Sequence, residues 1–321
     1  QACRVEGVTR QAALFTFQYQ PIDATIHYFD TDANAWVSEP LAPGAYRANL
    51  VAIEFSSGAS LFSYLPKTYN QKENGVLEHV PDLDGYLLVT RTEAGWQLKL
   101  VSSTLTDGQL CDGFVMSAAW PLLDWSENQN CATVWNAYTT NGVAKWCFDG
   151  YYRFTPSNYV PTGENYYYRC VASYLIRLMA EQIGVCEAAP NLTICMLDVL
   201  VQEQNAYGFW PTQPESEWLS GDFQIADGFY DTRFNTDLIE IFVRANNDLG
   251  GGLYLDTVKR YAAFYQALAE ANHAETENGG WLVADYWHPQ LHDLTHTSLN
   301  HLAAECLAAY HLADILRDES L

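Results

Sequence analysis

Six of the eight histidines, His273, His288, His292, His296, His301 and His311, fall within the last fifty or so residues. Imidazole is the side chain that gives and takes protons near neutrality, so this clustering points to acid–base chemistry at the C-terminal end. The same stretch carries Asp285, Tyr286, Trp287 and Asn300, a carboxylate, a phenol, an indole and an amide. Residues before Thr295 have no helical stripe and read as a long loop, the usual mounting for site residues beside a rigid scaffold. From Thr295 a helix is predicted with Leu299, Leu302, Ala303, Cys306 and Tyr310 on its buried stripe. At 100° per residue His296 and Asn300 flank that stripe and look into a cavity, while His301 and Glu305 point away. His288, His292 and His296 share a four-residue spacing that, with Asp285, would suit a zinc or calcium ion, but Pro289 interrupts the helix this needs and no HExxH is present. No cofactor is expected.

A second constellation runs through Tyr230-Asp231-Thr232-Arg233-Phe234-Asn235. Asp231 and Asn235 lie one helical turn apart, and Arg233 either binds substrate or pairs with Asp237 at i,i+4. The loop before it carries Trp210 and Trp218, which with Trp287 could wall a sugar subsite. A third candidate is Arg153 among tyrosines, with Glu164 nearby, as a carboxylate binder.

These residue types fit proton abstraction at C5 of a uronic acid. Such a reaction needs a base, for which His296, Tyr286 and Tyr230 are the candidates. It also needs groups that neutralise the sugar carboxylate, among them Asn300, Asn235, Arg233 and Arg153, with Asp231 as a further substrate contact. Reprotonation gives epimerisation, and loss of the 4-linked sugar gives elimination. A glycoside hydrolase would instead use paired carboxylates such as Asp231, Asp285 or Glu164. A non-catalytic glycan-binding module would need only the aromatic loops. In each case the expected partner is a polysaccharide or oligosaccharide.

Two kinds of element must position these groups. Residues 1–115 show strand-like alternation broken by turn signals such as Pro43-Gly44 and Ser56-Ser57-Gly58, which predicts an antiparallel sandwich or barrel. Across residues 116–321 the period becomes 3.6, with helices predicted over 133–145, 165–184, 191–204, 230–246, 253–271 and 295–317. The predicted architecture is therefore a multidomain α+β chain, with a β domain followed by an (α/α) toroid-like domain that carries the site.

Composition narrows the partners. Sixteen Lys and Arg face 39 Asp and Glu, a net charge of −23 that repels nucleic acid. No apolar run is long enough for a membrane span. Eight cysteines and a start at Gln1 lead to an expectation of a secreted or periplasmic, disulfide-bearing protein. With 21 Tyr and 10 Trp, rings suited to sugar stacking are plentiful.

The run from Gly279-Gly280 through Asp285-Tyr286-Trp287-His288, followed by Thr295-His296-Thr297-Ser298-Leu299-Asn300-His301-Leu302, resembles the end of the D-glucuronyl C5-epimerase C-terminal domain. There a Tyr-Asp-Leu-Arg-His-like loop precedes a Tyr-His-Thr-Thr-His-Ile-Asn-Gln-like helix start. The resemblance covers about 45 residues and implies an (α/α) domain and a hexuronic acid substrate. Ala284, Trp287 and Leu294 stand where that family has tyrosine, arginine and tyrosine, and Tyr286 is the local phenol.

Overall fold

The computed structural model describes residues 1–30, 32–33, 35–123, 144–171, 174–290 and 293–317. Twenty strands and six helices are found among them. The central element is a ten-stranded antiparallel sheet whose spine is Ser60–Gln71. Gln109–Ala118 lies along this strand, and Ala2–Glu6 pairs with the outer side of Gln109–Ala118. Leu50–Phe55 pairs with the first half of the spine and leads to Ala24–Asp30 and Ala35–Pro40. Leu77–His79 pairs with its last three residues and leads to Tyr166–Arg169, Gly150–Phe154 and Ala144–Cys147. Pro66 has no N–H to give the ladder, and the register shifts opposite it, between Asp112 and Phe114.

Alternation along these strands serves two cores. Ile53, Leu61 and Val115 face a four-stranded sheet, Ala13–Tyr19, Gly95–Val101, Tyr86–Thr92 and Gly44–Tyr46, and pack on its Leu87, Val89, Leu98 and Leu100. Their neighbours Ala52, Phe62 and Phe114 point the other way, onto the helices. The large sheet is thus buried on both faces, which explains the unbroken burial of the spine from Ser60 to Tyr69.

The helices are α1 (Tyr174–Ala180), α2 (Ala189–Glu203), α3 (Glu217–Phe223), α4 (Thr232–Leu249), α5 (Leu255–Ala271) and α6 (Leu299–Leu316). They form a layer on the sheet and not a toroid, which overturns the predicted architecture. Three strands from residues 144–169 extend the sheet instead. The predicted helix over 165–184 splits, because Tyr166-Tyr167-Tyr168-Arg169 is β-prone and finds an edge on either side. The sheet also crosses the expected boundary, since Gln109–Ala118 spans residue 115. Most of the helix predicted over 133–145 lies outside the described residues. No described helix is long and apolar enough to cross a membrane. Cys3, Cys111 and Cys147 are thiols, against the expectation of disulfides, Cys195 and Cys306 are thiols as their helical settings allow, though exposed, and Cys131 lies outside the described residues.

Helices α4 and α6 run parallel, because Thr232 meets His301 at their starts and Glu240 meets His311 further along. Both N-termini therefore open at the same end of the molecule.

Candidate active site

Asp231 ends a two-residue strand and caps α4, its Oδ1 accepting the Phe234 N–H at 3.0 Å. That strand pairs with Tyr286–Trp287, which sets Asp231 opposite Tyr286 and Tyr230 opposite Trp287. Asp285, just before, does for α6 what Asp231 does for α4. Its carboxylate accepts the Ser298 N–H at 2.9 Å and the Ser298 hydroxyl at 2.6 Å. One short ribbon and two helix starts are so tied together, with the Thr232 N–H donating to the Asp285 carbonyl at 3.0 Å.

His296 stands at the mouth of this junction. Its Nε2 is 3.3 Å from Asp285 Oδ2, and its side chain is 40% exposed. Its ring lies among Trp218 of α3 at 5.2 Å, Tyr286 at 5.7 Å and Phe223 at 5.8 Å. Trp218 is itself 40% exposed and supplies an open aromatic face.

Burial sets the electrostatics. Asp231 is pushed up to about 7 by desolvation, which the backbone N–H groups of Phe234 and Arg233 only partly offset. Glu305 of α6 is also pushed up to about 7 by its burial. Burial lowers His301 despite Asp285 beside it, so its imidazole is held neutral. The Tyr286 phenol is raised, by burial first and then by Asp231 and Asp285.

The predicted residues divide into three groups. Asp231, Tyr286, His296 and Trp218 come together at the junction. Arg153 is exposed on its strand and close enough to Tyr159 and Tyr168 to act on their phenols, and Tyr159 in turn feels Asp231. A second group faces elsewhere: Arg233 and Asn300 line a groove of about 920 Å³ between α1, α4 and α6, to which His296, Tyr286 and Trp218 do not contribute. Arg233 is paired with Asp237 at 2.8 Å. Glu164 is exposed in the loop before Tyr166.

The third group is structural. Asn235 is fully buried and binds the Trp210 N–H, the Trp210 carbonyl and the Asp231 carbonyl. Trp210 cannot wall a subsite, because it is fully buried, stacked on Phe242 and donating Nε1–H to the Leu200 carbonyl. Tyr230 is equally buried, and its hydroxyl is committed to the Tyr261 hydroxyl at 2.9 Å inside the aromatic core. Trp287 is half-buried against Tyr207, Phe209 and Phe264. Among the described residues no three His, Cys, Asp or Glu side chains gather as a metal site, and His292 lies outside them.

The last helix turns the opposite way from its prediction. His301 and Glu305 are on the buried face, while Asn300 is exposed, Leu299 is 82% exposed and Tyr310 71%. Sequence reasoning therefore placed Glu305 and His301 outside the site. The missed signal was their alternating i+4 and i+3 spacing with Ala308 and Leu312, which form the buried stripe.

No family model matches the chain, and the curated proteins contain no match. Among solved structures, the chain is similar to a rhamnosidase from Klebsiella oxytoca with rhamnose bound, at 10% identity and a TM-score of 0.32, over 96% of this chain and 82% of that one.

Proposed function

We propose that this chain is a carbohydrate-active enzyme that hydrolyses a glycosidic bond at the junction of α3, α4 and α6. The observation that carries the reading is Asp231, a buried carboxyl pushed up to about 7 at the foot of an open aromatic rim. A general acid must still hold its proton at the working pH, and burial is the ordinary way to achieve this. Asp231 protonates the leaving oxygen as the C1–O bond breaks. His296, oriented by Asp285, takes a proton from the water that forms the new bond at C1. Trp218 supplies the stacking face for the sugar.

Hydrolysis is favoured over C5 proton abstraction by where the polar residues are committed. Asn235 and Tyr230 are tied into the core, Arg233 is paired with Asp237, and Asn300 lines the other groove. Of the predicted cations, that leaves Arg153 to neutralise a uronate.

The test is incubation with neutral and uronic acid polysaccharides in deuterated water. New reducing ends, lost in Asp231→Asn, support the reading. An unsaturated ultraviolet-absorbing product, or deuterium at C5 without cleavage, overturns it in favour of proton abstraction. Binding without turnover overturns it in favour of a glycan-binding module.

A further inference from the structure

Glu305 is 1% exposed, and neither of its oxygens makes a hydrogen bond. The groups that face it come from every element packed around it. These are Tyr261 and Tyr265 of α5, Tyr230 and Thr232 at the start of α4, Asp285 of the loop, and His301 one turn back on α6. None is a cation, and the Tyr265 phenol and Thr232 hydroxyl only partly offset the cost of an ionised carboxylate at this depth. Burial accordingly pushes the Glu305 carboxyl up to about 7.

Thr232 connects this acid to the site. Its hydroxyl donates to the Asp285 carbonyl, which leaves two lone pairs on Oγ1. His301 Nδ1 is 3.3 Å from that oxygen. Since the threonine hydrogen is already committed, His301 meets it as an Nδ1–H donor, which fixes the tautomer. One lone pair remains, and the Glu305 carboxyl is near enough to Thr232 to act on it.

We infer that Glu305 is a positioning residue of this site: as a neutral acid it donates to Thr232 Oγ1, and so holds the Nδ1–H tautomer of His301 and the Asp285 segment that orients His296. The catalytic part of this inference rests on the reading of the junction as the active site. Once Glu305 ionises it can only accept, and it then competes with the Asp285 carbonyl for the Thr232 hydrogen. The contact that holds the loop is loosened, and catalysis falls as pH rises.

The experiment is ¹⁵N NMR of histidine-labelled protein between pH 6 and 9, without substrate. In the wild type His301 is expected as Nδ1–H at pH 6 and as a tautomer mixture above about pH 8, once Glu305 has ionised. Glu305→Gln keeps a donor and should hold the Nδ1–H form across the range, whereas Glu305→Leu should lose it throughout. Identical tautomers with an identical pH course in wild type and Glu305→Gln overturn the inference, and that comparison stands even if Glu305→Leu fails to fold. With an active glycan substrate, Glu305→Gln should lack the alkaline fall of kcat with little change in KM. Glu305→Leu should lower kcat about ten-fold or more. The tautomer is read without turnover, so a protein with no glycan activity would sink the catalytic reading and leave the tautomer result intact.

Discussion

Asp112 in the large sheet and Asp84 in the loop beside it are each met by a cation. Arg4 Nε and Nη2 grip the fully buried Asp112 at 2.8 and 2.7 Å, and Asp149 shares the same guanidinium. Burial works against the Arg4 charge, but Asp112 and Asp149 outweigh it. Asp84 accepts from Lys67 at 2.9 Å and lies 3.0 Å from His79, and these partners bring it below the ordinary carboxylate range against the push of burial. At the starts of α4 and α6, Asp231, Asp285 and Glu305 are as deeply buried. Among the described residues their only ion-pair partners are the imidazoles beside Asp285. A carboxylate gripped by a fixed guanidinium is structure. Burial raises Asp112 as well, so what sets Asp231 and Glu305 apart is that no fixed cation holds their carboxylates in place.

The contrast is broken most directly at Arg4. Arg4→Met leaves Asp112 buried without its guanidinium, and the expected loss is about 3–5 kcal/mol in urea unfolding. Arg4→Met combined with Asp112→Leu should recover most of that, because an apolar pair has no charge to strand. A loss under about 1 kcal/mol for Arg4→Met alone would mean that the sheet does not depend on this pairing.

At the other end, Asp231→Asn should lower kcat/KM about a hundred-fold or more, since proton donation is removed. At about pH 4, where Asp231 keeps its proton, stability should change by under about 1 kcal/mol, because asparagine caps a helix nearly as well. A large stability loss with activity retained would return Asp231 to the structural class.

The pH dependence separates Asp84 from the raised carboxyls by sign, and burial raises Asp112 too in spite of Arg4. Asp231 and Glu305 are raised to about 7 in the folded chain, against roughly 4 when unfolded. Their stabilisation is complete below about pH 4 and is lost as pH rises through 7. Asp84 is lowered, so its contribution is present above about pH 4 and lost in acid. Urea midpoints should therefore fall between pH 5 and 8, by at most about 3 kcal/mol per raised carboxyl. The double variant Asp231→Asn, Glu305→Gln should flatten that slope. An unchanged slope would assign it to general repulsion among the chain's net 23 negative charges.

The same contrast shows what sequence could reveal. Helices α2, α4 and α5 lie within a few residues of their predicted spans, because each has one apolar stripe and one place to bury it. Helix α6 exists where predicted but is rotated. Its apolar stripe through Leu299, Cys306 and Tyr310 faces outward, and its polar His301 and Glu305 meet Thr232 and Tyr265 inside. Periodicity identifies a stripe, but the partner decides which stripe is buried, and here the partner is a polar cluster built by α4 and α5. The place of Asp231 at a helix start was legible since its type and position are local signals. The pairing of Asp231 with Tyr286, 55 positions later, follows from a two-residue ribbon too short to carry a periodic signal.

The smallest expected effect sharpens the comparison from the surface side. Arg233 is one residue from Thr232 and two from Asp231, yet its guanidinium turns outward to Asp237, with both side chains about 40% exposed. Such an i,i+4 pair contributes about 0.3–0.5 kcal/mol, and salt screens it. Arg233→Gln should therefore shift the urea midpoint barely beyond error and leave kcat/KM on a neutral glycan within about two-fold. The informative arm is a uronic acid substrate. A ten-fold or greater rise in KM confined to that substrate would mean that Arg233 leaves Asp237 to bind a sugar carboxylate. The groove between α1, α4 and α6 would then belong to the substrate path, and the line between paired structural charges and unpaired functional ones would have to be redrawn through this residue.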